Sequence, residues 1–207
     1  LAEMQAIARL RVWEKLNKTI SIADKDDFFI DDDVVEHILQ MDREEASLDI
    51  VVGEGAYLGH GVRLSEGVSI DKNARLTGNI ILGKGVHIGE SAQLSAFPGQ
   101  TMRVGDNTRI LAGNIIKGDV IIGRDCLVET PVRITGSTKY PVRLGASVRI
   151  KGSSYLFGCI VEDDCHIINC ILRTIRVRCR RDKSGNVIPV CYIFPEPEGR
   201  ESLEQLK

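Results

Sequence analysis

Aromatic side chains are scarce in this chain of 207 residues: one Trp, four Tyr and five Phe make up 5% of it. A core built on large rings is therefore excluded, and the interior must be packed by aliphatic residues. Charge of one sign is also missing, with a formal net charge of −2. No basic surface argues for nucleic acid, and no nucleic-acid partner is expected. No apolar run approaches 18 residues, so no membrane-spanning helix is expected and a membrane is not a predicted partner. The six cysteines form no CxxC pair, and no secretory leader is read at the start of the chain. Both features predict a cytoplasmic protein with reduced thiols, Cys126 and Cys165 among them as core residues. No strand followed by a Gly-rich phosphate loop is present for nucleotidyl transfer.

What the chain does have is a beat of six. A branched aliphatic residue recurs at Val52, Leu58, Leu64, Ile70, Leu76, Leu82, Ile88 and Leu94, and again from Val104 to Ile134 and from Leu144 to Leu172. Neither period 3.6 nor period 2 keeps one face buried at strict sixes, so the pattern specifies a repeat architecture. Counting the aliphatic residue as position one, position four is Gly, Asn, Asp or Ser in nearly every repeat, as at Gly55, Gly61, Asn73, Asn79, Ser91, Asn107 and Asp119. Those residues tolerate the positive φ of a tight corner. Position five is small or β-branched, as expected of a second inward side chain. Each six is thus a short strand and a corner, and three corners close a coil of a triangular prism with coils stacked about 4.8 Å apart. Gly53-Glu-Gly55, Gly59-His-Gly61 and Gly83-Lys-Gly85 fall on these corner positions and are read as turns, not as a dinucleotide motif.

The flanks differ. Residues 1–18 carry Leu1, Met4, Ile7, Ala8, Val12 and Leu16 at helical spacing and predict an amphipathic helix. The acidic stretch that follows contains a second predicted helix, Val34 to Met41, with Asp33 as its cap. Beyond residue 172, basic residues alternate with apolar ones up to the turn Ser184-Gly185-Asn186, and Val187 to Phe194 supplies a return strand. That pattern predicts a β-hairpin covering the exposed end of the prism, with Val177, Val190 and Tyr192 buried. Arg176, Arg178 and Arg180 should face solvent or an acidic partner, for which the aspartates between Asp24 and Asp33 are candidates. The expected organisation is a helical, acidic segment at 1–49, the prism at 50–172, and a hairpin and tail at 173–207.

The six-residue pattern across residues 50–172 resembles the hexapeptide-repeat, left-handed parallel β-helix family, and left-handedness is what that resemblance implies. The family includes acyl-CoA-dependent acyltransferases, γ-class carbonic anhydrases and C-terminal domains of sugar nucleotidyltransferases. The opening helix with LAEMQ, and SIADKDDFFID after it, resembles the linker helix and first rungs of bifunctional uridyltransferase/acetyltransferases that make UDP-N-acetylglucosamine. Their Asn-Tyr-Asp-Gly loop and its nearby His are missing here, so no catalytic residue is carried over.

Candidate site residues come from the breaks in the beat. Leu94 to Val104 and Ile134 to Leu144 each hold four extra residues, and the intervening hexads amount to two coils. Both loops, Ser95 to Met102 and Thr135 to Pro141, therefore leave one corner about 10 Å apart. His60 falls on the same edge, Asn79 lies one coil beyond it, and His87 and His166 fall on another side. His60 is accordingly the candidate general base. Asn79, Phe97, Gln100, Lys139 and Tyr140 are the candidate substrate- and cofactor-binding residues. No two histidines share a face within one coil, so no metal is expected. The resemblance implies acetyl-CoA or another acyl-CoA as co-substrate, a sugar or sugar nucleotide as acceptor, and a homotrimer. The alternative is a catalytically silent trimerisation or scaffold domain of a sugar-1-phosphate nucleotidyltransferase.

Overall fold

The computed structural model describes residues 2–22, 29–42 and 48–191. The described chain winds into three parallel sheets of nine, eight and seven strands, each strand pairing with those one coil before and after it. The first sheet runs from Ser21–Ile22 through Val51–Val52 and Ser69–Ile70 to Val190–Cys191; the second runs from Phe29–Ile30 to Ile171–Arg173, and the third from Val62–Arg63 to Arg176–Val177. The protein is a hexapeptide-repeat parallel β-helix. Parallel pairing begins before residue 50, because Ser21–Ile22 pairs with Val51–Val52 and Phe29–Ile30 with Tyr57–Leu58.

The interior is the stack of position-one residues. Leu58, Ile70, Leu76, Leu82, Ile88, Leu94, Ile116, Ile134 and Leu156 are fully buried, and position-five residues such as Val62, Ala74, Val86 and Ala92 fill beside them. Among the described residues three buried positions are polar: Thr108, Asn114 and Ser154. Each is satisfied where it lies, as buried polar groups must be. Asn114 donates to the Leu111 and Val128 carbonyls and accepts from the Val132 amide. Cys126 and Cys165 are buried and unpaired. Burial holds their thiols above the ordinary cysteine range, Cys165 at about 12, so neither is poised as a nucleophile.

Corners follow the chemistry of position four, with one correction. Asn73, Ser91, Asn107 and Asp125 adopt φ of 56 to 57°. At the two corners before the inserted loops, however, the positive φ sits on Gly78 and Gly118, both at 84°, and not on Asn79 or Asp119. A Cβ at Gly78 would collide with the Ala96 carbonyl, and one at Gly118 with that of Gly136, so glycine takes the strained place.

Helix α1 spans Ala2–Leu16 and helix α2 Asp32–Met41. The N-cap of α2 is Asp31, two residues before Asp33, and it makes no side-chain cap bond. Val34, Val35 and Ile38 seat α2 on the first coil. Helix α1 docks through Leu16, with Val12 and Trp13 half-buried, while Met4, Ile7 and Leu10 stay exposed. Among the described residues its apolar side chains are thus only partly covered.

At the other end, residues 176–191 add another coil. The hairpin is confined to 180–188, closed by the antiparallel bridge Arg181–Val187 around Gly185. Its arms run on as Arg176–Val177 and Val190–Cys191, which pair in parallel with the solenoid. Val177 is buried, Val190 is half-buried, and Arg176, Arg178 and Arg180 are exposed; Tyr192 lies outside the described residues. The acidic neighbour of Arg176 and Arg178 is Glu162, at 3.8 Å from each. Of the aspartates expected there, Asp24, Asp26 and Asp27 lie outside the described residues, and Asp31 to Asp33 sit on the first coil, at the far end of the stack.

Candidate functional site

The corner between the second and third sheets gathers most of the candidate residues. His60 lies between strands Tyr57–Leu58 and Val62–Arg63, Asn79 between Arg75–Thr77 and Ile80–Leu82, and the two inserted loops leave the same corner after Gln93–Ser95 and Val132–Gly136. At one coil per 4.8 Å, the loops stand about 10 and 20 Å from His60 along the axis.

His60 is held from the helix side. The first turn of α2 brings Asp33 against the corner, where Asp33 Oδ2 accepts from the Gly61 amide at 3.0 Å and from Arg63 Nη1 at 2.8 Å. Asp33 Oδ1 lies 3.1 Å from His60 Nδ1. Burial alone would raise the Asp33 carboxyl, but Arg63, the Gly61 amide and His60 outweigh it and hold the group below its ordinary value. The His60 side chain is 84% exposed. The contact is one of charge: Asp33 Oδ1 accepts no hydrogen bond. A cleft of about 410 Å³ opens here, lined by Ile30, Asp31, Asp32, Asp33 and His60.

The remaining candidates form a second group. Asn79 Nδ2 donates to Thr101 Oγ1 at 2.7 Å, and Gln100 Nε2 donates to Thr138 Oγ1 at 3.0 Å, which clasps the first loop to the second. Phe97 is exposed beside this clasp. In the second loop the Ser137 amide donates to the Tyr140 carbonyl at 2.9 Å. Tyr140 packs on Phe157 with ring centroids 5.9 Å apart, and Lys139 Nζ stands 5.2 Å from the Tyr140 ring. Asn79, Gln100, Lys139 and Tyr140 therefore share the loop region, while His60 faces the α2 cleft. A larger groove of about 540 Å³ lies near the C-terminal coils, lined by Arg143, Leu144, Gly145, Ile160, Val161, Glu162, Asp163 and Cys179. No candidate residue lines it.

Asp33 is the residue that sequence reasoning placed wrongly. Read as a helix cap, it instead lies 3.1 Å from His60 Nδ1 and pairs with Arg63. The signal available was its separation from the repeat: an acid in an insertion between Phe29–Ile30 and Val51–Val52 has no assigned phase. Among the described residues no cluster of three His, Cys, Asp or Glu can hold a metal ion, and no helix is long and apolar enough to cross a membrane.

No protein-family model matches the sequence, and no curated protein matches it significantly. Solved structures do. One is a mutant of perosamine N-acetyltransferase from Caulobacter crescentus in complex with CoA and GDP-perosamine: 13% identity, TM-score 0.29, covering 81% of this chain and 69% of that one. Another is UDP-N-acetylglucosamine acyltransferase from Campylobacter jejuni, at 12% identity and TM-score 0.24, covering 57% of this chain and 62% of that one. The Arabidopsis UDP-N-acetylglucosamine acyltransferase matches at 14% identity and TM-score 0.22, covering 57% and 59%.

Proposed function

We propose that the chain is a CoA-dependent acyltransferase whose acceptor is a sugar or sugar nucleotide, with His60 as general base and a homotrimer as the working form. The observation that carries this reading is His60 itself: Nδ1 is 3.1 Å from a carboxylate that Arg63 and Gly61 fix in place, and the ring is exposed on the corner from which both loops leave. In the reaction, His60 Nε2 takes the proton of the acceptor hydroxyl or amine as that atom attacks the thioester carbonyl. The C–S bond then breaks, and the leaving thiolate recovers the proton from the imidazolium. Asp33 stabilises that imidazolium while it exists. Lys139 and Tyr140 supply a cation and an aromatic face for a phosphorylated ligand on the loops.

One observation favours the alternative, a silent scaffold domain of a nucleotidyltransferase. The cleft at His60 is walled by Asp31, Asp32 and Asp33, which repel an anionic ligand, and the loop clasp lies coils away. A single experiment separates the two. Acyl transfer from acetyl-CoA to a panel of amino sugars and nucleotide sugars is followed by mass spectrometry for the parent and His60→Ala. The acyltransferase reading expects at least a hundredfold loss, the scale of a missing general base, and about tenfold for Asp33→Asn. Turnover unchanged in His60→Ala removes His60 as the base, and no transfer by the parent to any acceptor leaves the scaffold reading standing.

A further inference from the structure

Down the outward midline of the third sheet, the register aligns Arg63 with Ile81, Arg103, Ile121, Arg143, Ile160 and Arg176 in turn. An arginine thus stands on every second coil, about 10 Å from the next. Three of the four meet a carboxylate. Arg63 lies 2.8 Å from Asp33, Arg143 lies 2.7 Å from Asp119, and Arg176 lies 3.8 Å from Glu162. Arg103 is exposed, and no acid among the described residues pairs with it.

The repeat itself shows why. Asn79 precedes Arg103 by the same 24 residues that separate Asp119 from Arg143. The two places are backbone copies two coils apart: Gly78 and Gly118 both have φ 84°, the Met102 amide donates to the Asn79 carbonyl at 2.9 Å, and the Val142 amide donates to the Asp119 carbonyl at 3.0 Å. Each is followed by a four-residue insertion. An aspartate at position 79 would hold Arg103 as Asp119 holds Arg143. Asparagine stands there instead and donates Nδ2 to Thr101 Oγ1 at 2.7 Å. One guanidinium on an otherwise neutralised ladder is left uncompensated, and it lies beside the first inserted loop.

We propose that Arg103, with the Asn79 and Thr101 side chains next to it, is an anion-binding point that takes a pyrophosphate group. A guanidinium presents paired donors that match two phosphate oxygens, and a neutral amide beside it lets the anion approach where a carboxylate would repel it. The choice of pyrophosphate rests on the acyltransferase reading, since CoA and nucleotide sugars both carry that group.

The test is calorimetric titration of the intact chain with inorganic pyrophosphate at low ionic strength, then with CoA and with UDP-N-acetylglucosamine. Arg103→Gln and Asn79→Asp are each expected to weaken pyrophosphate binding at least fivefold, the second by returning an acid to Arg103. Asp119→Asn, which frees Arg143, should leave binding as strong or stronger. Of CoA and UDP-N-acetylglucosamine, the one that loses affinity in the same variants is the source of the anion. Asn79→Asp replaces one exposed polar residue by a near isostere, and a melting curve matching the parent's excludes misfolding. Binding equal to the parent's in Asn79→Asp, or no pyrophosphate binding by the parent, overturns the proposal. Arg103-dependent binding in a chain that transfers no acyl group leaves the anion site standing and removes the acyltransferase reading. His60-dependent transfer with Arg103-independent binding does the reverse.

Discussion

Leu76 in a strand of the second sheet and Lys84 on the following turn between the third and first sheets hold different positions of the repeat, and the repeat assigns them opposite fates. Leu76 is fully buried at position one, whereas Lys84 is exposed at position three with Nζ 3.2 Å from Glu66. Leu76→Asp leaves an unpaired carboxylate between coils, a cost of about 3–5 kcal/mol or more, and no soluble folded protein is expected. Lys84→Ala removes one exposed ion pair, worth less than about 1 kcal/mol, and should barely move the urea midpoint. Similar midpoints for the two variants would refute the assigned phase. At this scale the sequence was informative wherever a residue's position within the six determined its direction: His60 and Asn79 fall on the predicted corner because hexad counting is geometry. It was uninformative where partnership depends on something outside the repeat. Nothing in the local pattern announces that Asp33 reaches His60, or that Asn79 differs from Asp119 only in what it fails to neutralise.

Among the elements, α2 brings a carboxylate to the prism corner that carries the candidate base. Its apolar residues Val34, Val35 and Ile38 give it a seat, and Asp33 gives it a charged anchor on Arg63 and the Gly61 amide. The strands were legible because period six and position-four residues fix each one locally. The helix ends and the last coil were less so, since Asp31 and Asp33 are equally good caps on paper, and alternation in residues 175–179 suits a solenoid strand as well as a hairpin arm. The anchor has a pH signature. The folded Asp33 carboxyl titrates below its ordinary value of 3.8, so the stability it adds is fully present above the unfolded-state value and is lost as pH falls through the folded one. Thermal melts from about pH 5 down to about pH 3 should therefore show a steeper drop for the parent than for Asp33→Asn, which cannot ionise there. Parallel curves would mean that Asp33 adds no pH-dependent stability to the docking of α2.

The described coils stack strand on strand into three parallel sheets and leave apolar groups on the surface. Val51, Ile160, Ile171 and Ile175 are 39 to 56% exposed, and Met4, Ile7 and Leu10 line the uncovered side of α1. Scattered exposed aliphatics are ordinary, but an apolar helix stripe left open among the described residues is a candidate contact surface. Regular prism faces can bury against identical faces, and closed rotational symmetry then fixes the number of copies. The proposed homotrimer predicts a mass in solution of three times the 22.8 kDa chain, measured by light scattering after gel filtration at micromolar concentration. Met4→Ser combined with Ile7→Ser should loosen that assembly if α1 takes part in it, lowering the measured mass while leaving the β-rich circular dichroism spectrum of the prism intact. A parent that elutes as a monomer under these conditions would rule the trimer out.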